Sequence, residues 1–295
     1  MNWKETTRLA RAAVLFVHVL LGALLSLAVL LLPVGLRARH APKLGTWWLK
    51  RGAVILGVKV MAHGSPAEEP CLAVANHISW LDIVVLATQS DTGFVAKAEV
   101  AEWPLLGWMF RAGGTEFVQR GAHASLKQLM PRMTRRMKLG ETLTLFPEGT
   151  SHGRVLPARF RPRLLQAAVD AGVHVQPVAI YYGASAEVLE RMAFVGEDTF
   201  LNHLWNLLGG GPMLAEVTYL PPLSSVTGDC RLLADEAWRA VSHTLSRLEL
   251  FELGSKDTFE RAHMDVRPGP LGAGIAKRRA SHGHDLRAVE LHHAA

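Results

Sequence analysis

A short apolar run that stops at a histidine most constrains how this chain of 295 residues folds. The segment Cys71 to Asp82 reads CLAVANHISWLD, and a second apolar run follows at Ile83 to Ala87. The first run is short and preceded by a proline, which is typical of a buried strand, whereas the second predicts a helix packed on that strand. His77 is therefore expected at the carboxyl end of a strand, where open α/β sheets place their functional groups.

The spacing of His77 and Asp82 decides whether their side chains can meet. On one continuous helix, positions five apart point about 140° away from each other around the axis. The two side chains come together if His77 lies in the turn and Asp82 in the first turn of the helix, with Ser79 as a candidate N-cap. A carboxylate on one imidazole nitrogen fixes the tautomer and leaves the other nitrogen free to take a proton. The pair alone also fits a core histidine beside a helix-surface aspartate.

Further motifs along the chain distinguish these alternatives. NHISWLD resembles the His-x4-Asp signature of the glycerolipid acyltransferases of the bacterial 1-acylglycerol-3-phosphate acyltransferase (PlsC-like) type, and FPEGT at Phe146 to Thr150 resembles that family's second hallmark. Gly113 to Arg120 resembles the intermediate block, in which a glycine precedes Phe-Ile/Val-x-Arg, and Val175 to Val178 resembles the last block. The four blocks occur in the family's order between Leu72 and Ile180, which favours the catalytic interpretation.

The resemblance implies a transferase that moves a fatty acyl group from acyl-CoA or acyl carrier protein to the free hydroxyl of a lysophospholipid. The default acceptor is the anionic 1-acyl-sn-glycerol-3-phosphate, which would give phosphatidic acid. In this family His77 acts as the general base and Asp82 orients it. The acceptor alcohol attacks the thioester directly while both substrates are held in register, so the reaction requires no metal, no other cofactor and no protein nucleophile.

The residues that the resemblance assigns to substrate binding are Lys97, Arg120, Glu148, Gly149 and Thr150. Arg120 ends the intermediate block just before a predicted helix, and an anion at that helix N-terminus would meet free N–H groups as well as a guanidinium. Glu148 is expected to help hold the glycerol portion, and Gly149 and Thr150 to shape the phosphate site. Lys97 begins a Lys-x-Glu segment that is common in the family.

Two features leave alternatives open. The family commonly has Phe-Lys-x-Gly after FPEGT, whereas this chain has RFRPR at Arg159 to Arg163, so a lyso-lipid with another head, such as lyso-ornithine lipid, is an alternative acceptor. Gly149 to Gly153 also matches G-x-S-x-G, which makes a membrane-associated serine hydrolase using Ser151 the alternative of another class. That motif needs a helix directly after the serine, and Pro157 and Pro162 disfavour one.

An uncharged N-terminal run predicts attachment to a membrane. Ala12 to Leu36 carries no formal charge and is long enough to span a bilayer as a tilted helix. Pro33 and Gly35 leave an in-plane hairpin as the alternative, and no small-x-small site marks a cleaved signal peptide. The basic residues that flank this run slightly favour a topology with the catalytic domain on the cytoplasmic side. The predicted location is therefore the inner (cytoplasmic) membrane.

Charge and patterning complete the expected organisation. The net charge of +6 comes without a zinc-finger, RNP or basic-zipper pattern, so membrane lipid rather than nucleic acid is the expected anionic partner. Alternating strands and helices predict an α/β fold: a mixed, mostly parallel sheet flanked by helices, with an N-terminal hydrophobic anchoring helix or helical hairpin. The predicted segments are a membrane anchor at 1–57, a catalytic domain at 58–253 and a basic, disordered tail at 254–295.

Overall fold

The computed structural model describes residues 3–103, 105–119, 123–196, 198–226 and 228–264. Arg120 and the predicted tail from residue 265 onward lie outside the described residues. Met1–Ser255 is one compact unit, so the predicted anchor and the predicted catalytic domain pack together, and Lys256–Ala295 is a second unit.

The described residues contain one seven-stranded sheet with the strand order β1-β7-β6-β2-β5-β3-β4. The strands are β1 (Val58–His63), β2 (Cys71–Ala75), β3 (Gly93–Lys97), β4 (Glu116–Val118), β5 (Leu143–Leu145), β6 (His174–Tyr181) and β7 (Met213–Tyr219). The β6–β7 pair is antiparallel and the other pairs are parallel. This arrangement confirms the prediction of a mixed, mostly parallel sheet.

Helices cover both faces of the sheet. They are α1 (Trp3–Leu30), α2 (Val34–Leu56), α3 (Leu81–Ala87), α4 (Leu106–Ala112), α5 (His123–Lys138), α6 (Gln166–Ala171), α7 (Ala186–Met192), α8 (Phe200–Leu208) and α9 (Cys230–Met264). One apolar core lies under α2, α3 and α8, and the other lies under α5, α6 and α9. Because β2 is covered on both faces, every one of its residues is buried and its sequence is continuously apolar.

The N-terminal segment forms a helical hairpin, the second of the two arrangements that the sequence allowed. Helices α1 and α2 pack on each other, and α1 also contacts α4 and α8. His18 Nε2 lies 3.0 Å from the carbonyl oxygen of Trp48, whose indole Nε1 donates to the carbonyl of His18 at 2.9 Å. The outer side of α1 exposes Val14, Phe16, Val17, Leu20, Leu24 and Leu27. By length and composition α1 can cross a bilayer, which by itself is weak evidence that it does so.

Two boundaries differ from the sequence predictions. Strand β1 occupies residues that carried no strand prediction, and it is held by parallel pairing with β7, a partner far along the chain. Helix α9 continues to Met264, past the predicted start of the tail at residue 254.

Candidate active site

Asn76 fixes the turn that follows β2. Its side-chain Nδ2 donates to the carbonyl of Ile180 at 2.9 Å, and its Oδ1 accepts from the Ile180 N–H at 2.8 Å. The side chain is 1% exposed, so both bonds are shielded from water. These bonds continue the pairing of β2 with β6 past its last register pair, Ala75 and Val178. The bonds of Asn76 therefore fix where the main chain departs from the sheet, which is directly before the next residue.

That residue is His77, and its ring meets Asp82 as the spacing predicted. His77 Nδ1 lies 2.8 Å from Asp82 Oδ2, at the start of α3. The imidazole stacks on Phe146, with ring centroids 4.1 Å apart. Nδ1 is thereby occupied, and Nε2 has no hydrogen-bond partner among the described residues. The side chain is 14% exposed and lines the largest cavity near the motifs, so Nε2 is the nitrogen available to a substrate.

Asp82 is fully buried, and main-chain and hydroxyl donors surround it. Oδ2 also accepts from the N–H groups of Ile78 at 2.7 Å and Ser79 at 2.9 Å, and Oδ1 accepts from the hydroxyl of Tyr182 at 2.8 Å. Burial, reinforced by the carboxylate, raises the pKa of Tyr182 well above its ordinary value, so this hydroxyl remains a donor. The predicted N-cap at Ser79 is wrong: α3 has Trp80 at its N-cap without a side-chain cap, and the buried Ser79 hydroxyl has no hydrogen-bond partner among the described residues.

Glu148 joins the two motifs through main-chain bonds. Its Oε1 accepts from the His77 N–H at 2.7 Å, and its Oε2 accepts from the Ala158 N–H at 2.6 Å. The residue is 3% exposed and is absent from the residues that line the cavity. Burial raises the pKa of Glu148 to about 7, against the opposing effect of the two N–H donors. Glu148 thus holds the loop that carries His77, and its contact with the acceptor stays a prediction.

Replacing Glu148 by glutamine is expected to destabilise the fold, because the amide NH₂ would face one of the two main-chain donors. A buried N–H without an acceptor costs about 1–3 kcal/mol, and the free energy of unfolding should fall by that amount. In the wild type, the unfolded carboxyl ionises from its ordinary pKa of 4.5 and the folded one only near 7. The native state therefore binds more protons in this window, and stability should fall as the pH rises through it.

Urea unfolding at several pH values checks this expectation. Glu148→Gln should lose that part of the pH slope, while Glu190→Gln, which removes an exposed carboxylate on α7, is the matched control. Equal stability and an equal slope in Glu148→Gln and the wild type would contradict the structural role of Glu148.

The cavity beside His77 has a volume of about 1080 Å³ and a cationic lining. The basic residues that line it are Lys97, Arg161, Arg163 and Arg231. Gly149 also lines it with a φ of 76°, and a Cβ there would stand 3.2 Å from the guanidinium carbon of Arg161, so glycine allows this close approach. Lys97 and Gly149 are thus brought to the cavity with His77, whereas Thr150 is near but outside its lining.

Ser151 does not have the environment of a hydrolase nucleophile. Its Oγ donates to the carbonyl of Phe194, and it makes no hydrogen bond with His77 among the described residues. Residues 152–161 contain no helix; a 3-10 turn begins at Pro162 and α6 only at Gln166. The strand-turn-helix elbow that G-x-S-x-G requires is therefore missing here.

The loop between α7 and α8, together with the first residue of α8, supplies cavity residues that the sequence analysis missed. Phe194, Asp198 and Phe200 line the cavity, and the Phe194 N–H donates to the carbonyl of Ile78 at 3.0 Å. A sequence signal existed: Thr199 caps α8 through its hydroxyl, and an Asp-Thr pair before an apolar run is typical of a helix start.

Comparisons with known proteins agree with this geometry. A family model described as Acyltransferase matches residues 58–181. The chain is 37% identical over 220 residues to the lyso-ornithine lipid O-acyltransferase of Pseudomonas aeruginosa, covering 75% of this chain and 83% of that protein. It is 33% identical over 174 residues to the 1-acyl-sn-glycerol-3-phosphate acyltransferase of Neisseria meningitidis, covering 57% of this chain and 66% of that protein.

A solved structure shares the fold. It is the crystal structure of PlsC, the 1-acyl-sn-glycerophosphate acyltransferase of Thermotoga maritima, with a TM-score of 0.65 and 21% sequence identity. The match covers 83% of this chain and 95% of that chain.

Proposed function

We propose that this chain, which belongs to the PlsC-like family of glycerolipid acyltransferases, transfers a fatty acyl group to the hydroxyl of lyso-ornithine lipid. Acylation of a lysolipid is the activity of the family to which it belongs. The observation that carries the proposed mechanism is the 2.8 Å contact of His77 Nδ1 with the buried Asp82, which leaves Nε2 facing the cavity.

In the proposed reaction, His77 Nε2 removes the proton of the acceptor hydroxyl as its oxygen attacks the thioester carbonyl. The tetrahedral intermediate collapses, the C–S bond breaks, and the imidazolium returns the proton to the departing thiolate. Asp82 keeps the imidazole in the tautomer with Nδ1–H and stabilises its positive charge. This chemistry balances without a metal or other cofactor, and we propose acyl-CoA or acyl carrier protein as the thioester donor.

Two observations favour lyso-ornithine lipid as the acceptor. The relative from Pseudomonas aeruginosa is named as a lyso-ornithine lipid O-acyltransferase, and the match covers 83% of its length. The chain also has RFRPR where the family commonly has Phe-Lys-x-Gly, and Arg161 from this stretch lies against Gly149 in the cavity. The second candidate acceptor is 1-acyl-sn-glycerol-3-phosphate, which the relative from Neisseria meningitidis and the motif blocks support.

Parallel acylation assays decide between the acceptors. Membranes containing the wild-type protein, supplied with an acyl thioester, should esterify lyso-ornithine lipid with a kcat/KM about tenfold or more above that for 1-acyl-sn-glycerol-3-phosphate. Such a ratio corresponds to about 1.4 kcal/mol of differential transition-state binding. The opposite ratio would assign the second acceptor, and turnover of neither would overturn the proposed function.

We further propose that the α1–α2 hairpin holds the enzyme at the cytoplasmic face of the bacterial inner membrane. Support comes from the exposed apolar side chains of α1 and from Trp47 and Arg51 on α2, a pairing typical of the headgroup region. Proteolysis in right-side-out and inverted vesicles checks the orientation, because the catalytic unit should be cleaved only in the inverted ones.

A further inference from the structure

A carboxylate and a group of aromatic rings line the catalytic cavity, and the proposed proton transfer uses neither. Asp198 lines the cavity together with Trp80, Trp103, Phe194 and Phe200. The rings contact one another: Trp80 and Phe200 have centroids 5.0 Å apart, and Trp103 and Phe200 have centroids 4.2 Å apart. The indole Nε1 of Trp80 donates to His203 Nδ1 at 3.0 Å, which fixes the orientation of this ring.

The loop that carries Asp198 is tied to both catalytic motifs. Phe194 donates its N–H to Ile78, directly after the catalytic histidine, and accepts from Ser151, directly after FPEGT. The chain then turns before α8 begins. In this turn the Asp198 N–H donates to the Val195 carbonyl at 3.4 Å. The start of this loop, at Phe194, is therefore held against both motifs.

The carboxylate of Asp198 has no structural partner in the described part of the chain. The neighbouring Thr199 provides the cap of α8, since its Oγ1 accepts from the N–H of Asn202 at 3.3 Å. Asp198 is exposed, and its side chain makes no hydrogen bond or salt bridge with any described residue. Burial lowers the pKa of His203, and the charge of Asp198 opposes this effect. The carboxylate is thus available to a ligand.

Both acidic and basic side chains line the cavity. Among the described residues that line it, Asp198 is the single acidic one, whereas Lys97, Arg161, Arg163 and Arg231 are basic. Asp198 lines the same cavity as the rings of Trp80 and Phe200, and an ammonium group is attracted both by a carboxylate and by the face of an aromatic ring. Clustered guanidinium groups in turn suit a carboxylate or a phosphate. Both charges of a zwitterion would find partners in one cavity.

We propose that Asp198, with the rings of Trp80 and Phe200, binds the ammonium group of a zwitterionic acceptor, while the arginines bind its anionic group. This inference rests on the proposed function and names the residue that discriminates between acceptors. Lyso-ornithine lipid carries a free carboxylate and a primary ammonium, whereas 1-acyl-sn-glycerol-3-phosphate carries no ammonium. The loop between α7 and α8 therefore sets acceptor specificity, separately from the proton transfer at His77.

The test compares Asp198→Asn with the wild type on lyso-ornithine lipid and on its Nδ-acetyl analogue, which lacks the ammonium charge. For Asp198→Asn, kcat/KM on lyso-ornithine lipid should fall about tenfold, mainly through KM, because the contact is made in both ground state and transition state. The loss on the acetyl analogue should be at least fivefold smaller. Glu190→Gln, an exposed carboxylate on α7 outside the cavity lining, controls for a change of net charge.

Phe200→Leu is the second variant, since it retains apolar volume and removes one ring face. It should show a smaller loss with the same preference for the charged acceptor, and thermal unfolding of each variant separates a folding defect from a binding defect. Equal losses of Asp198→Asn on both acceptors would overturn the inference and leave the proposed function standing.

An acceptor with the same ammonium chemistry separates the two proposals. If the wild type rejects lyso-ornithine lipid and acylates lysophosphatidylethanolamine in an Asp198-dependent manner, the proposed acceptor is wrong and the ammonium site stands. Rejection of both ammonium-bearing acceptors, with turnover of 1-acyl-sn-glycerol-3-phosphate, would overturn both.

Discussion

Replacing His77 by alanine is expected to lower kcat for lysolipid acylation by about 100-fold or more. General-base catalysis contributes about 10²–10⁴-fold, and without Nε2 the proton of the acceptor hydroxyl has no acceptor at the site. The loss should appear in kcat rather than KM, because the cavity walls that hold both substrates remain in place. Thioester-dependent acylation by membranes with equal amounts of wild type and variant measures it.

Ser151→Ala is the informative partner of this variant. The serine follows FPEGT and lies near His77, yet its hydroxyl donates to the Phe194 carbonyl, so its removal should cost less than about tenfold. If His77→Ala turned over like the wild type, His77 would be structural and the mechanism wrong. If Ser151→Ala abolished turnover and the wild type accumulated an acyl-enzyme, the serine hydrolase alternative would replace it.

The contact between His77 and Asp82 was predictable because its determinants are local. A strand that ends at Ala75, a turn and a helix that begins at Leu81 lie within one stretch of sequence, and the five-residue spacing brings the imidazole and the carboxylate together at one strand end. The mixed, mostly parallel sheet was predictable for the same reason, since the alternation of strands and helices is visible along the chain. The position of Asp82 in the first helical turn then follows from the chain itself.

The loop between α7 and α8 was not predictable in this way. Both helices are short, and the loop takes its position from bonds to Ile78 and Ser151, which lie far away in sequence. The bonds of Glu148 were not predictable either, because its oxygens accept the N–H groups of His77 and Ala158, of which His77 lies far away in sequence. Long-range main-chain bonds leave no periodic signal in a sequence, so such roles emerge only from the folded chain.

Asp82→Asn is expected to lower kcat by about 10²–10⁴-fold while the protein still folds. Asparagine can place Oδ1 where the carboxylate accepts from His77 and from the N–H groups of Ile78 and Ser79, and its Nδ2 can donate to the Tyr182 oxygen. The hydrogen bonds from His77, Ile78 and Ser79 are then retained, whereas the Tyr182 hydroxyl proton loses its acceptor at a cost in stability. For turnover, the loss is the negative charge that stabilises the imidazolium as the hydroxyl proton is taken. Single-turnover acylation, together with thermal unfolding of the variant, measures both parts of this expectation.

Tyr182→Phe is the matched control, because it removes one donor to Asp82 and keeps the charge. Its effect on kcat should stay within about tenfold, although a buried carboxylate oxygen that loses its partner will cost stability. The double variant of His77→Ala with Asp82→Asn then tests whether the two residues act as one unit. Because Asp82 works only through the imidazole, the double variant should be no slower than His77→Ala alone, as expected for strongly coupled residues. Fully additive losses would mean that Asp82 affects turnover by another route, such as the shape of the turn that carries Ile78, and the assigned role would then be wrong.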